Sequence, residues 1–343
     1  MKDKYSKIVI SIIGILILII ISLLIYKNNE VQEYSKTFFY MDTYISVKVY
    51  VPNEKKANDA FEEIDRIYRD YHNLTNKYEE TDYGLYELNK EGNTTIDYRL
   101  YEMIKYGYSW YEKSDGLLNI AIGNVTDIWK KYREDETGVP TLSELNKVNI
   151  DINNVLINEI NSKDKVSDGV ILSDGVTIDL GAISKGYTTQ IVGDYLKSIG
   201  IKKYIINAGG NVLVGDYYKG NSKYKIGIQN PYSDTNPNAP SIFKVIRGNN
   251  IAVVTSGGYN RNYVYEGNIY GHIIDPNTRY PADNMASVTV ISKSSKDADA
   301  LSTILYLMDV DTGMEFVKDY DVEVIWYLKD GTIKTTDGIS KYE

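Results

Sequence analysis

The sequence predicts an α+β fold, preceded by one helix that crosses a membrane. Residues 54–71 and 99–113 place apolar side chains at helical spacing, which is typical of amphipathic helices. The second half of the chain contains short strand-like segments in runs, with helices set between them. This order favours an α+β protein over a doubly wound sheet. Near the N-terminus, residues 8–25 form an uncharged apolar run that is long enough to cross a bilayer.

Residues 8–25 are predicted to be an uncleaved membrane anchor. A cleaved signal peptide has a shorter apolar core and a small-residue cleavage site, and this segment has neither. Lysines precede the run at Lys2, Lys4 and Lys7, and only Lys27 follows it closely, so the positive-inside rule leaves the N-terminus in the cytoplasm. We therefore expect a single-pass protein of the cell membrane, with residues 1–30 as the anchor, 31–36 as a polar tether and 37–343 as an extracytoplasmic domain.

The composition excludes several classes of protein. A net charge of −9 argues against general nucleic-acid binding, which requires a basic face, and makes a cation a better candidate helper than a polyanion. The chain contains no cysteine, which excludes disulfides, thiolate metal sites and lipid attachment through a cysteine. We interpret most of the 33 tyrosines as packing residues.

The apolar patterns predict the order of the elements. Strands are predicted at 37–51, 175–180, 203–207, 212–214, 224–229, 251–255, 269–274 and 287–292. Helices are predicted at 54–71, 99–113, 184–199, 296–308 and 312–319. A last hairpin pairs 322–328 with 332–335 through a Lys-Asp-Gly turn. Residues 139–168 are rich in polar side chains and are predicted to be surface connections.

One segment, IDLGAISKGY at 178–187, combines a strand end, a glycine-containing turn and a helix start. Free backbone N–H groups at such a helix start attract anions, and Lys185 would add a positive charge. The same turn is common in proteins that bind no ligand there. Taken alone, this segment leaves both interpretations open.

Two further strand ends carry adjacent glycines, at 209–210 and 257–258. Adjacent glycines permit a turn with positive φ or the close approach of a ligand to the backbone. Either pair alone indicates a turn. Because ligand contacts collect in loops at strand ends, the two pairs together with Gly181 favour a binding site.

Asp299 and Thr303 are an i, i+4 pair on one face of a predicted helix. A carboxylate, a hydroxyl and nearby carbonyl oxygens form a donor set that suits Mg²⁺. An acidic residue in the first turn also stabilises a helix without any metal. This segment by itself favours the helix-stabilising interpretation.

His272 lies in GHIIDP at 271–276 and is one of two histidines in the chain. The unperturbed pKa of histidine is close to neutral pH, which suits a general base. A single histidine is also often structural. The other histidine, His72, lies near the end of a predicted amphipathic helix and is interpreted as a structural or surface residue.

Taken together and in this order, the segments resemble the FAD:protein FMN transferases of the ApbE family. The resemblance covers residues 39–317. Its strongest blocks are IDLGAISKGY (178–187), INAGGNV (206–212), VTSGGYNR (254–261), GHIIDPNTRYP (271–281), SVTVIS (287–292) and DADALST (297–303). MDTY (41–44) and SDGLLNIAIG (114–123) are looser versions of early family motifs, with Asn119 where the family usually carries Asp. Ordered blocks are far more specific than any one of them.

The resemblance implies a fold, a reaction and a site. The fold would be ApbE-like (T-fold-like), with mixed sheets and packed helices. The reaction would be transfer of the FMN half of FAD to a Ser or Thr hydroxyl of an acceptor protein, with release of AMP and formation of a phosphoester. His272 would act as the base or position the incoming hydroxyl. Mg²⁺ would be held by Asp299, Thr303 and the carbonyl of Ala182, with Ser302 adjacent, and FAD would be contacted by Met41, Tyr78, Leu117, Leu118, Asn119, Asp179, Lys185 and Ile273.

The resemblance also implies a partner, and it leaves two alternative functions. The acceptor would be a flavoprotein, such as a membrane redox subunit with an extracytoplasmic flavin domain. One alternative is an extracytoplasmic Mg²⁺-dependent FAD pyrophosphatase, in which water replaces the acceptor hydroxyl. The other is a non-enzymatic FAD-binding protein, which would not need an aligned base and metal pair.

Overall fold

The computed structural model describes residue 15 and residues 31–160, 165–216, 222–233, 235–259 and 261–343. The predicted membrane anchor at 8–25 lies outside these residues, apart from residue 15. None of the helices in the described ranges is both long and apolar enough to span a membrane. The anchor therefore stays a prediction.

In the described residues, the first half of the domain contains two long strands, several helices and four very short strands. In chain order they are β1 (Gln32–Tyr40), β2 (Thr43–Val51), α1 (Glu54–Thr75), α2 (Leu85–Glu91), β3 (Ile96–Asp97), α3 (Tyr98–Lys113), α4 (Gly123–Asp135), α5 (Leu142–Leu145), β4 (Val155–Ile157), β5 (Val166–Ser167) and β6 (Val170–Leu172).

The second half contains most of the strands. Its elements are α6 (Ser184–Ser198), β7 (Tyr204–Ala208), β8 (Asn211–Val214), β9 (Tyr224–Gln229), β10 (Ile242–Gly248), β11 (Ile251–Gly257), β12 (Tyr263–Tyr265), β13 (Asn268–Tyr270), β14 (Ser287–Ser292), α7 (Ser295–Leu307), α8 (Val310–Phe316), β15 (Glu323–Tyr327) and β16 (Ile333–Thr335).

One large antiparallel sheet organises the fold. Within the described residues its strand order is β1-β2-β7-β8-β11-β14-β15-β16. Helices α6 and α7 cover one face, and α1 packs on α6. The β9–β10 hairpin covers part of the other face. Strand β11 shows the alternation that this requires, because Ala252 and Val254 join the helix-side core whereas Ile251 and Val253 join the hairpin-side core. The predicted α+β class is confirmed.

Helices α6 and α7 pack unusually closely beside the functional region. The hydroxyls of Tyr68 on α1 and Thr189 on α6 are 3.0 Å apart in the interior. A Cβ added to Gly186 on α6 would overlap the Cβ of Asp299 on α7 and lie 2.6 Å from the carbonyl oxygen of Ser295. Glycine at position 186 therefore sets the distance between the two helices.

Several predictions of local structure were wrong. The single strand predicted at 37–51 is two strands, β1 and β2, because Met41 and Asp42 have positive φ and form a turn between them. The strand predicted at 269–274 ends at Tyr270, and beyond it Ile274 makes only an isolated bridge to Pro281.

The predicted tether at 31–36 belongs almost entirely to β1, because its backbone pairs with β2 from Gln32 opposite Val51 onwards. Residues 175–180 do not form a strand, since their chain makes only an isolated bridge between Thr177 and Ile122. The backbone N–H of Ile178 instead donates to the side-chain oxygen of Asn89 at 2.7 Å, and the side-chain nitrogen of Asn89 donates to the carbonyl of Ile178 at 2.9 Å.

Replacing Gly186 with alanine should destabilise the fold. We expect overpacking to cost about 1–3 kcal/mol of unfolding free energy. Alanine favours a helix over glycine by about 1 kcal/mol, which offsets only part of this cost. The measurement is urea unfolding of the full chain in detergent, monitored by tryptophan fluorescence. Lys197→Ala, on the exposed surface of the same helix, is the control and should change little. A Gly186→Ala protein as stable as the control would contradict the packing argument.

Candidate functional site

The functional residues predicted from the sequence meet in a cleft of about 1080 Å³ at one end of the large sheet. The β1–β2 turn, the β7–β8 turn and the end of β11 form its floor and one wall. Segments 179–185 and 272–274 form another wall. The lining includes every predicted site residue except Ser302: Met41, Tyr78, Leu117, Leu118, Asn119, Asp179, Ala182, Lys185, His272, Ile273, Asp299 and Thr303.

Asp179 is held in an ionised state at the start of the 179–185 wall. Its carboxylate accepts hydrogen bonds from the Thr126 hydroxyl and the Gly181 N–H, both at 2.8 Å, and lies 3.1 Å from the ammonium of Lys77. Burial alone would raise the pKa of Asp179, but Lys77 and these hydrogen bonds hold the pKa below its ordinary value. Asp179 therefore shapes the glycine turn that leads into α6.

Sequence reasoning missed Lys77. Its side chain is only 6% exposed and also bonds to Asp127, at 2.8 Å, and to the carbonyl of Gly123, at 2.9 Å. These contacts join the segment after α1 to α4 at the lining of the cleft. Nothing in the local sequence distinguishes Lys77 from a surface lysine, because its partners are 46 or more residues away in the chain.

The start of α6 leaves one backbone carbonyl available for a ligand. The N–H of Gly186 donates to Asp299 Oδ2 at 2.7 Å, whereas in a continuous helix it would bond to the carbonyl of Ala182. Within the described ranges, no backbone N–H donates to that carbonyl. The bond from Gly186 therefore joins the two helices and also frees the Ala182 oxygen.

Asp299 suits a cation site. The residue is 5% exposed, and burial raises the pKa of its carboxyl although Lys185 and the Gly186 N–H act in the opposite direction. A buried carboxylate with a raised pKa lacks a full counter-charge, which a bound cation would supply. Thr303 Oγ1 lies 3.4 Å from the carbonyl of Asp299 on the same face and lines the cleft. This oxygen-only donor set fits Mg²⁺.

Ser302 does not reach the cleft. Its hydroxyl is fully buried, donates to the carbonyl of Asp299 at 2.9 Å and lies 2.8 Å from the hydroxyl of Ser256. We therefore assign Ser302 to the packing behind Asp299 rather than to the donor set. In the described part of the chain, no three acidic or histidine side chains cluster as a metal site, so a cation here would depend on one carboxylate plus neutral oxygens.

The loop that carries His272 is rigidly fixed. Within the loop, the backbone N–H of Asp275 donates to the carbonyl of Tyr280 at 2.9 Å, and the backbone N–H of Arg279 donates to the carbonyl of Asp275 at 2.7 Å. The Arg279 guanidinium donates to the carbonyls of Leu145 and Val148, and its own carbonyl accepts from the indole of Trp129 at 2.7 Å. The shape of the loop thus depends on contacts from α4, from α5 and from the segment after α5.

His272 is neutral at physiological pH. His272 lines the cleft, and its side chain is exposed to water there. Loss of hydration, followed by the positive charges of Lys185, Arg261 and Arg133, lowers the pKa of His272 to about 4. A hydrogen bond with the backbone of Arg261 acts in the opposite direction but is weaker. A neutral imidazole can accept a proton, which is what a general base requires.

His72, the second histidine, also contributes to the cleft. Its Nδ1 accepts the backbone N–H of Met41 at 3.2 Å. Met41 and Asp42 both have positive φ, at 53° and 54°, so the β1–β2 turn is strained and needs such support. The carbonyl of Asp42 accepts from the guanidinium of Arg261 at 2.5 Å. His72 therefore has a structural role, as the sequence predicted. That role is to support Met41, which is a predicted flavin-contact residue.

The remaining predicted contact residues differ in how free their side chains are. Tyr78 is 49% exposed, and the ammonium of Lys130 lies 3.3 Å from its ring centre. Leu118 is buried, and Leu117 is partly buried. Both polar atoms of Asn119 bond internally, to the carbonyl of Ile150 and the N–H of Ala121, each at 2.9 Å. Asn119 therefore fixes its loop and has little hydrogen-bonding capacity left for a ligand.

The pKa of His272 can be measured directly because the chain has only two histidines. In an NMR titration of the full chain in detergent, we expect the His272 imidazole to titrate near pH 4. Lys185→Met removes a positive charge and should move this pKa up towards its ordinary value. Lys197→Met, at the other end of α6, should leave the pKa unchanged. Titration of His272 near 6.5 in the unmodified protein would contradict the electrostatic description of the cleft.

Comparison with known proteins identifies the family. The sequence profile of the ApbE family matches residues 41–326. The FAD:protein FMN transferase of Klebsiella pneumoniae is 28% identical over 90% of this chain and 92% of its own length. That of Vibrio cholerae is 30% identical over 67% of this chain and 65% of its own length.

Solved structures agree with the sequence comparison. The ApbE protein of Thermotoga maritima superposes with a TM-score of 0.79 at 26% identity and covers 91% of this chain and 99% of its own. The flavin transferase ApbE of Vibrio cholerae has a TM-score of 0.74 at 23% identity, with 91% and 100% covered, and supports the fold alone. The expected ApbE-like fold and the prediction of an enzyme are confirmed, and the chain belongs to the ApbE family.

Proposed function

We propose that this protein transfers the FMN moiety of FAD to a Ser or Thr hydroxyl of an acceptor flavoprotein. One observation carries the proposal. A neutral imidazole at His272 and a buried carboxylate at Asp299 line the same cleft, and the charge of Lys185 acts on both. A proton acceptor, a cation-binding carboxylate and positive charge are the groups that hydroxyl attack on a pyrophosphate requires.

Positive charges would hold the pyrophosphate of FAD. Lys185, Arg261 and Arg133 line the cleft around His272 and together lower its pKa, so each is close enough to act on a negative group placed there. The start of α6 also points towards this region, and helix N-termini favour phosphate. A bound pyrophosphate would cancel part of this positive field and make the imidazole a stronger base.

Mg²⁺ fits the donor set of Asp299, Thr303 and the carbonyl of Ala182. When bound, it would neutralise charge on the phosphoryl oxygens. The residues of the chain do the rest. Gly186 orients the Asp299 carboxylate through its N–H, and the buried hydroxyls behind that carboxylate exclude water from its far side.

His272 would take the proton of the acceptor hydroxyl as the hydroxyl oxygen attacks phosphorus on the FMN side of the pyrophosphate. The new phosphoester bond forms as the bond to the AMP oxygen breaks, and AMP leaves with the displaced oxygen. The flavin would extend towards Met41 and Tyr78, since these residues line the same cleft beyond Asp179. Leu117, Leu118 and Ile273 would supply apolar contacts to it.

The location of the reaction follows from the predicted anchor. We propose a single-pass protein of the cell membrane with its cleft outside the cytoplasm, and a membrane redox subunit with an extracytoplasmic flavin domain as acceptor. The apolar run at 8–25 and the lysines before it support this placement.

The test is an incubation of the full chain in detergent with FAD, Mg²⁺ and a Thr-containing acceptor domain, followed by a denaturing gel viewed for flavin fluorescence. A fluorescent acceptor band that needs Mg²⁺ and disappears with EDTA is expected. Free FMN and AMP without a band would instead support the FAD pyrophosphatase. Intact FAD would support a non-enzymatic FAD-binding protein.

His272→Ala should abolish transfer while FAD still binds. Loss of a general base slows a reaction by about 10²- to 10⁴-fold, whereas the charges that hold the pyrophosphate stay in place. The rate is measured from the time course of acceptor fluorescence, and binding from quenching of flavin fluorescence. His272→Gln keeps the polarity of the side chain without its basicity and should be equally slow. Transfer at the unmodified rate by either variant would show that His272 is not the base.

Asp299→Asn should weaken Mg²⁺ dependence strongly. Removing the charge of the single carboxylate in the donor set should raise the Mg²⁺ concentration for half-maximal rate by at least about 10- to 100-fold, the range known for mutations that only support metal ligands. The matched control is Asp297→Asn, two residues earlier, whose carboxylate accepts from the hydroxyl of Tyr106 at 2.8 Å instead. Equal Mg²⁺ requirements in the two variants would remove Asp299 from the metal site.

A further inference from the structure

The two ends of the large sheet differ in what they carry. The register pairs Gln32 with Val51, Val49 with Tyr204, and Ile251 with Val214. The first residue of β1 therefore lies at the end where β2 ends, β7 and β11 begin, and β8 ends. The cleft lies at the opposite end, with the β1–β2 and β7–β8 turns. The chain that follows the predicted anchor thus enters the domain at the end away from the cleft.

A cluster of basic residues occupies this entry end. Lys197, Lys223, Arg247, Lys293 and Lys341 line a cavity of about 680 Å³ together with the turn between β10 and β11. Asp216 is the one carboxylate in the described lining. We call these five cationic residues the basic cluster. It is an exception in a chain whose net charge is −9.

Three members of the basic cluster have no acidic partner. Lys293 pairs with Asp321 at 2.8 Å, and Lys341 pairs with Glu323 at 3.7 Å. Across the described ranges, no carboxylate lies within ion-pair distance of Lys197, Lys223 or Arg247. Arg247 is partly buried and lines the cavity. The cluster therefore keeps an excess of positive charge to offer to an anionic surface.

We propose that the basic cluster rests on anionic lipid headgroups and turns the cleft away from the membrane. Three observations carry this proposal: the charge of the cluster, the lack of an acidic partner for three of its described members, and its position at the sheet end where β1 begins. Basic residues close to a membrane are attracted to anionic headgroups. For an extracytoplasmic domain, these would be anionic lipids of the outer leaflet. The proposal uses the predicted anchor but not the flavin reaction.

This orientation sets the height of the cleft. Strand β1 has nine residues and runs from the basic end to the cleft end. At about 3.3 Å per residue it spans roughly 30 Å. The cleft would then open well above the headgroups, facing a soluble part of an acceptor. Attraction between the cluster and the headgroups would weaken with salt, because the Debye length is only about 8 Å at physiological ionic strength.

The absence of cysteine allows a distance measurement with single fluorescent labels. Ser198→Cys places a label on the exposed end of α6 beside Lys197, and Thr332→Cys places one on the exposed β15–β16 turn at the cleft end. The full chain is reconstituted in vesicles of phosphatidylcholine with or without phosphatidylglycerol, containing a headgroup-labelled acceptor lipid. Energy transfer should be greater from the Ser198→Cys label, and the difference should grow with phosphatidylglycerol and shrink in high salt.

Charge reversal tests the cluster itself. Lys197→Glu combined with Lys223→Glu should remove the phosphatidylglycerol-dependent part of the transfer. The control reverses two exposed lysines elsewhere, Lys131→Glu with Lys147→Glu, and should leave it in place. Equal transfer from the two labels in phosphatidylglycerol vesicles, or insensitivity to the cluster variant, would overturn the proposal.

Flotation of the vesicles separates the anchor from the cluster. If the chain floats with both lipid mixtures, the anchor holds it and the label comparison decides the orientation. A chain that floats only with phosphatidylglycerol, and loses flotation in the cluster variant alone, would support the cluster without the anchor. A chain that floats with neither would overturn the lipid proposal.

Discussion

The hydrogen bond from the Gly186 N–H to the Asp299 carboxylate is the contact on which the cleft depends. It joins α6 to α7 at 2.7 Å over the centre of the sheet, and only glycine at position 186 permits that distance. The same bond turns the carboxylate towards the cleft and leaves the carbonyl of Ala182 without its helical partner. The packing of the two helices and the geometry of the proposed cation site are therefore consequences of one interaction.

Charged residues collect at both ends of the large sheet. At the cleft end, loss of hydration and then the positive charges of Lys185, Arg261 and Arg133 lower the pKa of His272. The negative charge of Asp179 is balanced by the ammonium of Lys77. Substrate phosphates would meet a cationic site in a protein that is anionic as a whole. The other end carries the basic cluster. An antiparallel sheet fixes these two regions at opposite ends, because every turn returns the chain to one end or the other.

Much of the fold follows from local pattern, and the rest depends on distant contacts. Strands β9 and β14 have the bounds predicted, because Tyr224, Ile226 and Ile228 alternate along β9 and because β14 is rich in β-branched residues. Helix α4 was missed because only Gly123, Val125 and Trp129 are buried along it. The predicted site residues other than Ser302 line one cleft, and their roles stay predictions. The support of Met41 by His72, 31 residues away, and the burial of Ser302 behind Asp299 depend on tertiary packing that no local pattern encodes.

The most direct test of this account is diffraction from crystals soaked with FAD and Mn²⁺, with data collected at an energy where manganese scatters anomalously. Mn²⁺ prefers the same oxygen ligands as Mg²⁺. The account predicts an anomalous peak at about 2.0–2.3 Å from the Asp299 carboxylate, in contact with the Ala182 carbonyl and the FAD pyrophosphate, with His272 facing the same phosphate. A peak elsewhere in the cleft, or FAD bound with its pyrophosphate away from His272, would contradict it.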